Sequence, residues 1–312
     1  MIHTLTLNPA VDKTAHISHF TIDQVNKIED LRMDAAGKGI NVSKVLAAFG
    51  TPSTAWCILA GETGRFVESA LSRADISHQA LFVEGATRTN LKIVDSVMNT
   101  HTDINEAGPV VSPDEVGEFV DRLSMQLNAG DYVVVAGSLP RGLADDTYRL
   151  IVDTLRKHGA RVFLDADGAK LQQGIEAHPY CIKPNNYELA ELCGADPLDR
   201  SALIRAARDI AKSGVELVVV SLGGDGVLFV PRAERAFFVP ACRVSVASTV
   251  GAGDSVVAAL VHGFSQDWDL EETACFSQAT GAASVMQAGT QAPPLTLVEQ
   301  LKGTLSVEYL SE

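Results

Sequence analysis

Short apolar segments alternate with amphipathic helical segments along most of the sequence, and this alternation constrains the fold most. Four runs are continuous and apolar, as strands buried on both faces are: residues 132–136, 162–164, 180–182 and 217–220. A capping box begins a helix at Ser112, and glycines at 159 and 214 follow the ends of two further helices. The pattern predicts an α/β fold with a doubly wound, mostly parallel sheet.

Two stretches, residues 13–35 and 87–107, depart from this rhythm. Both show strand-like alternation without a helical period, and a turn near Asn99 could close a hairpin. We interpret them as a small antiparallel β-sheet lid on a single domain that spans residues 1–312. The alternative is that both are irregular connections, which would be long for one compact domain.

The charge balance excludes some partners without naming one. The formal net charge of −14 argues against nucleic acid and against an anionic membrane, since both need a basic face. A small anionic substrate stays possible, because a few local cations can hold it. The five cysteines lack the spacing of a zinc or redox motif. With no apolar run of about 18 residues and no signal-peptide features at the start, we expect a cytoplasmic protein.

Polar and glycine-rich segments follow the predicted strands, where ligands bind in open α/β sheets. Five segments are expected at this edge: residues 8–12, 37–41, 137–140, 183–185 and 249–254. Any one of them could be an ordinary turn. Their regular recurrence at the carboxyl ends of the strands favours a shared ligand site.

The segment from Thr249 to Ser255 carries the strongest signal, because it runs directly into an apolar helix. Glycines before a helix let an anion approach the free backbone amides at the positive end of the helix dipole. Asp254 in the same turn could deprotonate an attacking hydroxyl, or it could only cap the helix. The sequence contains neither a Walker A loop nor a convincing dinucleotide fingerprint.

Taken together, these motifs resemble those of the ribokinase-like (PfkB) sugar kinases, in order and from Leu5 to about Ala288. The motifs that carry the resemblance are Asn8-Pro-Ala-Val-Asp12, Gly37-Lys-Gly-Ile-Asn41, Gly137-Ser-Leu-Pro140, Lys183-Pro-Asn-Asn-Tyr-Glu188, Val220-Ser-Leu-Gly223 and Thr249-Val-Gly-Ala-Gly-Asp-Ser255. The resemblance implies a kinase that uses ATP and Mg²⁺, with the lid strands also forming a homodimer contact.

The resemblance also implies roles for individual residues. Asp254 matches the family's general base, and the loop of Gly251, Ala252 and Gly253 matches its anion hole. The substrate-binding set is Asp12, Gly37, Lys38, Gly39, Asn41, Arg88 and Ser138, with Arg88 and Ser138 near the substrate's own phosphate. The nucleotide-binding set is Lys183, Asn185, Ser221, Gly223, Gly226, Thr249, Gly251 and Gly253. Glu188 matches a Mg²⁺-holding residue, although a first-turn helix acid is the alternative.

The substrate expected from the resemblance is a hexose phosphate. We expect phosphorylation of D-fructose 1-phosphate at its 6-hydroxyl, giving fructose 1,6-bisphosphate. Tagatose 6-phosphate and fructose 6-phosphate are alternatives, because each has an anion at one end and a hydroxyl at the other. A non-catalytic sugar-phosphate sensor on the same scaffold is a further alternative, since fold does not imply function.

Overall fold

The computed structural model describes residues 1–310. Within this range the chain forms fourteen strands: β1 (Ile2–Thr6), β2 (Ala10–His16), β3 (Asp30–Ala36), β4 (Thr54–Ala60), β5 (Ser77–Val83), β6 (Arg88–Asp95), β7 (Thr100–Asn105), β8 (Tyr132–Ala136), β9 (Arg161–Asp165), β10 (Cys181–Ile182), β11 (Leu217–Ser221), β12 (Gly226–Pro231), β13 (Phe237–Pro240) and β14 (Glu308–Tyr309).

The same residues form ten α-helices: α1 (Lys38–Ala48), α2 (Gly61–Arg73), α3 (Pro113–Ser124), α4 (Thr147–Lys157), α5 (Gly168–Ile175), α6 (Asn186–Cys193), α7 (Arg200–Ser213), α8 (Ala252–Ser265), α9 (Leu270–Val285) and α10 (Leu295–Lys302). The predicted helix starts and ends are confirmed. Ser112 and Glu115 form a capping box before α3, and α4 ends shortly before Gly159.

The large sheet has ten strands in the order β14-β13-β12-β11-β10-β9-β8-β1-β4-β5. Seven neighbouring strands pair in parallel, in the order β11-β10-β9-β8-β1-β4-β5. Strands β12, β13 and β14 pair antiparallel at one edge. The predicted doubly wound, mostly parallel sheet is therefore confirmed.

Helices cover both faces of the large sheet. Alternate residues of a strand point to opposite sides, so an apolar strand needs a packing partner on each face. On one face, Val133 and Val135 pack with α3 to α7. On the other face, Val134 packs with α1, α8, α9 and α10. The buried, apolar character of β8 follows directly from this double coverage. None of the helices within residues 1–310 combines the length and apolar composition needed to cross a bilayer.

The small sheet has the order β3-β2-β6-β7 and stands apart from the large one. Its strands cover residues 10–16, 30–36, 88–95 and 100–105, so β2 begins before the stretch 13–35 that was expected to form part of a lid. Strands β6 and β7 form a hairpin with Asn99 in the turn at φ 51°. The sheet is mixed, however, whereas the sequence predicted antiparallel pairing. Strands β2 and β6 pair in parallel. The chain between them contains β3, α1, β4, α2 and β5, a long crossover rather than the tight turn that joins antiparallel strands.

Candidate active site

The amino-terminal end of α8 forms the centre of the site. Gly251 precedes this helix in the left-handed region at φ 77°, a conformation that glycine adopts without strain. Asp254, at the third helical position, is 7% exposed. Its carboxylate accepts a hydrogen bond from Nδ2 of Asn41 at 2.8 Å. Among the described residues no side chain caps this helix, so the interpretation of Asp254 as only a cap is not supported.

The surroundings of Asp254 favour a carboxylate that titrates close to neutral pH. Burial, reinforced by the nearby charge of Asp165, raises the pKa of Asp254 to about 6. The hydrogen bond from Asn41 and the positive charges of Lys38 and Lys183 oppose this shift. A carboxylate with such a pKa is a stronger base than a solvated one and is still ionised at pH 7.

Asp165, the last residue of β9, joins two lysines beside Asp254. Its Oδ1 lies 3.1 Å from Nζ of Lys38 and 3.8 Å from Nζ of Lys183. Burial by itself would favour the neutral acid, but Lys183 and Lys38 hold the pKa of Asp165 below its ordinary value. Burial likewise opposes the charge on Lys38, but the carboxylates of Asp165 and Asp254 outweigh it and raise the pKa of Lys38.

The loop before α8 and the start of the helix offer an anion-binding surface. A Cβ placed on Gly253 would lie 3.2 Å from Nζ of Lys183, so this ammonium group borders the loop. On the other side, Gly251 lies against Thr290. The first amides of α8 have no partner within the helix and lie at the positive end of its dipole. Together with Lys183 they can hold a phosphoryl group.

The loop from β3 to α1 approaches Asp254 from the opposite side. Gly37 and Gly39 lie against Thr6 of β1, where a Cβ on either glycine would come within 2.8 Å of that side chain. This close packing seats Asn41 in the first turn of α1, from which its amide reaches Asp254. Asn41 thus links the loop of residues 37–41 to the start of α8.

Asn8 contacts both residues that were predicted to lie near the substrate's own phosphate, Arg88 and Ser138. Its Nδ2 lies 3.2 Å from Oγ of Ser138, and its backbone carbonyl accepts from Nε of Arg88 at 3.2 Å. The hydroxyl of Tyr148 donates to the carbonyl of Gly137 and thereby fixes the loop that carries Ser138. Arg88 and Ser138 thus both contact Asn8, and their role at the substrate's phosphate stays a prediction.

Asp12 lies on the face of the small sheet, opposite Asn90 of β6. Nδ2 of Asn90 donates to Oδ1 of Asp12 at 2.9 Å. Burial raises the pKa of Asp12, although Asn90, Lys44 and Arg88 act in the opposite direction. Asn90 of the neighbouring strand β6 thus positions Asp12, a predicted sugar contact.

Asn185 and Glu188 form a capping box at the start of α6. Oδ1 of Asn185 accepts from the amide of Glu188 at 2.9 Å, and Oε2 of Glu188 accepts from the amide of Asn185 at 2.8 Å. The first-turn role considered for Glu188 is therefore present. Within residues 1–310, no three His, Cys, Asp or Glu side chains cluster closely enough to hold a metal ion alone. A Mg²⁺ ion that keeps most of its waters and binds substrate phosphates needs only one such carboxylate.

Ser221, Gly223 and Gly226, predicted to bind the nucleotide, lie at the connection between β11 and β12. The backbone amide of Ser221 donates to the carbonyl of Pro184, which ties it to the segment with Lys183 and Asn185. Gly223 lies in the turn before β12. Gly226 has a packing reason of its own, because a Cβ there would lie 2.2 Å from the carbonyl of Val239. The contacts of the described residues do not join Gly223 or Gly226 to Asp254.

Three residues at the site were absent from the predicted set. Asp165 follows an apolar run and ends a strand, so the same rule that selected the other loops could have selected it. Asn8 and Asn90 lie inside motifs used for the resemblance, but only their hydrogen bonds in the folded chain mark them out. Each amide donates to a partner that is distant in sequence, a relation that motif spacing does not contain.

The chain belongs to the pfkB family of carbohydrate kinases, whose family model matches residues 5–297. It is 36% identical over 310 residues to the 1-phosphofructokinase of Rhodobacter capsulatus, covering 99% of this chain and 98% of that protein. It is 38% identical over 277 residues to the 1-phosphofructokinase of Xanthomonas campestris pv. campestris, covering 87% and 86%. The solved structure of phosphofructokinase-2 from Escherichia coli superposes with a TM-score of 0.92 at 27% identity, covering 97% and 98%. The predicted family is confirmed.

Proposed function

We propose that this protein transfers the γ-phosphoryl group of ATP to the 6-hydroxyl of D-fructose 1-phosphate, giving fructose 1,6-bisphosphate. The observation that carries the proposal is the pair of Asp254 and the anion-binding loop at the start of α8, in a chain related along its whole length to 1-phosphofructokinases. A buried base beside a phosphoryl-binding loop is the arrangement that transfer to a hydroxyl requires.

Asp254 is proposed as the general base. Its carboxylate removes the proton from the sugar hydroxyl as that oxygen attacks the phosphorus atom of the γ-phosphoryl group in line with the departing ADP. The hydrogen bond from Asn41 orients the carboxylate. Because burial raises the pKa of Asp254 to about 6, the group accepts the proton more readily than an ordinary aspartate and remains ionised at neutral pH.

Charge on the transferring group is proposed to be stabilised by the loop of Gly251, Ala252 and Gly253 and by Lys183. The helix amides and the ammonium group are in place before the reaction, so they need no reorganisation as charge develops. Mg²⁺ bound to the ATP phosphates would neutralise further charge, with Glu188 holding it through water. Glu188 fits this role because its carboxylate accepts from the amide of Asn185, which pairs with Ser221 on the proposed nucleotide side. Thr249, Ser221, Gly223 and Gly226 complete the proposed nucleotide side.

The sugar phosphate is proposed to lie between the two sheets. Arg88 and Ser138 hold its phosphate, since a guanidinium grips phosphate oxygens in a bidentate fashion. Asp12, Asn41 and the loop of residues 37–39 hold its hydroxyls. The buried side-chain oxygens of Asn8, Asn41 and Asn90 have no hydrogen-bond partner among the described residues. Buried acceptors of this kind are stabilised by hydroxyl donors such as those of a sugar.

The test compares three acceptors with the purified protein: fructose 1-phosphate, fructose 6-phosphate and tagatose 6-phosphate. We expect kcat/KM to be highest for fructose 1-phosphate. A clear preference for either 6-phosphate would contradict the assignment while leaving sugar-phosphate kinase chemistry in place. Formation of no ADP with any of them, together with measurable sugar-phosphate binding, would support the sensor instead.

The small sheet is proposed as a lid and as a homodimer contact. Apolar side chains are exposed on it and on its connections, among them Ile22, Val25, Leu31 and Ile104. An exposed apolar patch of this kind is typical of a protein interaction surface. A second copy of the chain that pairs its own lid against this surface would bury it.

A further inference from the structure

Asp165 is a buried carboxylate that the proposed mechanism has not used. It ends β9 with 3% of its surface exposed. A carboxylate in such a place is costly to bury unless it is paired and hydrogen-bonded. Both of its charged partners are lysines assigned to the two substrates, Lys38 to the sugar and Lys183 to the nucleotide. The pairing therefore links the two halves of the site.

The two lysines reach Asp165 from loops that are far apart in the chain. Lys38 begins α1 in the tight loop against Thr6. Lys183 follows β10 and borders the anion-binding loop at Gly253. Their ammonium groups lie 3.1 Å and 3.8 Å from the same oxygen, Oδ1 of Asp165. One carboxylate oxygen thus sets the positions of two cations relative to each other.

A lysine needs such a partner more than an arginine does. Its ammonium group is a point charge on a flexible four-carbon stem, so the stem does not fix its position. The side chain of Lys183 is 8% exposed. Without an adjacent anion, an ammonium group at that depth would lose its proton or turn toward solvent.

We propose that Asp165 is a positioning residue for phosphoryl transfer, which holds Lys183 against the anion-binding loop and Lys38 on the sugar side of the transferring group. This inference rests on the proposed function in one respect, that the loop at α8 receives the γ-phosphoryl group of ATP. Asp165 itself touches neither substrate in this arrangement; it acts through the lysines.

The central experiment measures nucleotide affinity without any sugar. Binding of ATP, ADP and AMP, each with Mg²⁺, is measured by calorimetry for the wild type and for Asp165→Asn. If Asp165 holds Lys183 at the γ-phosphoryl position, the variant should lose about tenfold of its preference for ATP over ADP, the size of one charge-assisted hydrogen bond. AMP affinity should not change. The matched control is Asp167→Asn, an exposed carboxylate two residues away that pairs with Lys170 at 2.9 Å.

Removing one negative charge leaves two lysines facing each other, which could unfold the protein. The double variant Asp165→Asn with Lys38→Met restores the original net charge of the cluster. Lys38→Met alone keeps the pair of Asp165 and Lys183. We expect Lys38→Met to retain the preference for ATP over ADP and the double variant to lose it as Asp165→Asn does. Thermal unfolding of each variant verifies that the proteins compared are folded.

Steady-state rates add a readout that a purely structural ion pair would not move. In folded Asp165→Asn, kcat should fall by about 10–100-fold, as misplaced catalytic groups cause, with a smaller change in KM for the phosphosugar. The acid limb of kcat/KM should also move to lower pH. The charge of Asp165 raises the pKa of Asp254, whereas Asn41, Lys38 and Lys183 lower it, so removing that charge should lower the pKa of Asp254. Asp167→Asn should leave both unchanged.

The inference is overturned if a folded Asp165→Asn keeps the wild-type ratio of ATP to ADP affinity, or if the double variant matches Lys38→Met in that ratio. The proposed function has a separate failure. If the wild type does not turn over fructose 1-phosphate, the sugar assignment is wrong, while the nucleotide measurements still decide the role of Asp165.

Discussion

The large sheet and the small sheet contribute to the candidate site in different ways. At the carboxyl edge of the large sheet, buried charged groups lie close together: Asp165 ends β9, Lys183 follows β10 and pairs with Asp165, and Asp254 lies in the first turn of α8. The small sheet instead offers a half-buried face with Asp12 and an outer strand, β7, that is exposed throughout. We therefore propose that phosphoryl transfer takes place at the large sheet, that the small sheet carries the subunit contact, and that residues from both sheets bind the sugar phosphate.

The largest effect that tests this division is expected at Asp254. Replacing Asp254 by Asn removes the proposed base, so kcat should fall by at least about 10²-fold, the usual scale of general-base catalysis. ATP affinity should change little, because the helix amides remain. Steady-state kinetics and calorimetry measure the two quantities. The control is Asp209→Asn, an exposed carboxylate on α7, and near-normal turnover of Asp254→Asn would remove Asp254 from the role of base.

The same variant should be more stable than the wild type. Because burial raises the pKa of Asp254 from 3.8 to about 6, the folded state disfavours the carboxylate, and this destabilisation is complete above pH 6 and disappears as the pH falls toward 4. Asn is neutral and can still accept from Asn41, so the free energy of unfolding at pH 7 should rise by about 2–3 kcal/mol. Denaturant unfolding at pH 7 and pH 4 measures it, and an equal gain at both values would contradict the cause given.

The edge of the large sheet was the part most open to prediction from sequence. Buried parallel strands read as continuous apolar runs, and helix starts carry capping residues, so the positions of the loops and of α8 followed from local pattern. Asp254 was ambiguous in the sequence, because an Asp in a first helical turn is common. The 2.8 Å contact with Asn41, 213 residues away in sequence, distinguishes the two interpretations, and no local pattern contains it.

The small sheet was harder to predict. Strands were expected within residues 13–35 and 87–107, whereas β2 begins at Ala10 and β3 ends at Ala36. The parallel pairing of β2 with β6 was not predicted. Register between strands that are remote in sequence depends on how the whole chain folds rather than on a turn between them. Asp165 ends a strand, so the rule that selected the loops could have selected it. The approach of Lys38 and Lys183 to one of its oxygen atoms, however, joins residues remote in sequence, and no local pattern contains it.

On the sugar side, Arg88 should show the next largest effect. Arg88→Ala removes the proposed bidentate grip on the substrate phosphate, so KM for fructose 1-phosphate should rise by about 10²-fold, as expected for charged hydrogen bonds worth 1.5–3 kcal/mol each. Arg88→Lys should recover part of the loss, since it keeps the charge without the fork. Arg149→Ala, which breaks a half-buried pair with Asp146, is the control. A rise in the KM for ATP instead would indicate that Arg88 binds the nucleotide rather than the sugar phosphate.

A smaller effect is expected at Glu188, where a structural and a metal-binding role coincide. Glu188→Gln keeps the capping box, because glutamine can also accept from the amide of Asn185. It removes the charge, so the Mg²⁺ concentration for half-maximal rate should rise by about tenfold, on the order of one lost charged contact. Thermal unfolding should not change. An unaltered Mg²⁺ requirement would leave Glu188 with the capping role alone.

The smallest expected change in rate concerns the outer face of the small sheet. Leu31 on β3 is 46% exposed, and we expect Leu31→Asp to separate a lid-mediated homodimer, because burying a charge in an apolar contact is unfavourable. Leu198→Asp, at a side chain 79% exposed outside the small sheet, is the control. Light scattering gives the mass of each protein. Since Asp254 and its neighbours belong to the large sheet, the separated chains should keep most of their kcat, and any loss should appear as a higher KM for the sugar phosphate. A wild type that is monomeric would contradict the homodimer. A Leu31→Asp variant that stays dimeric would place the subunit contact away from Leu31.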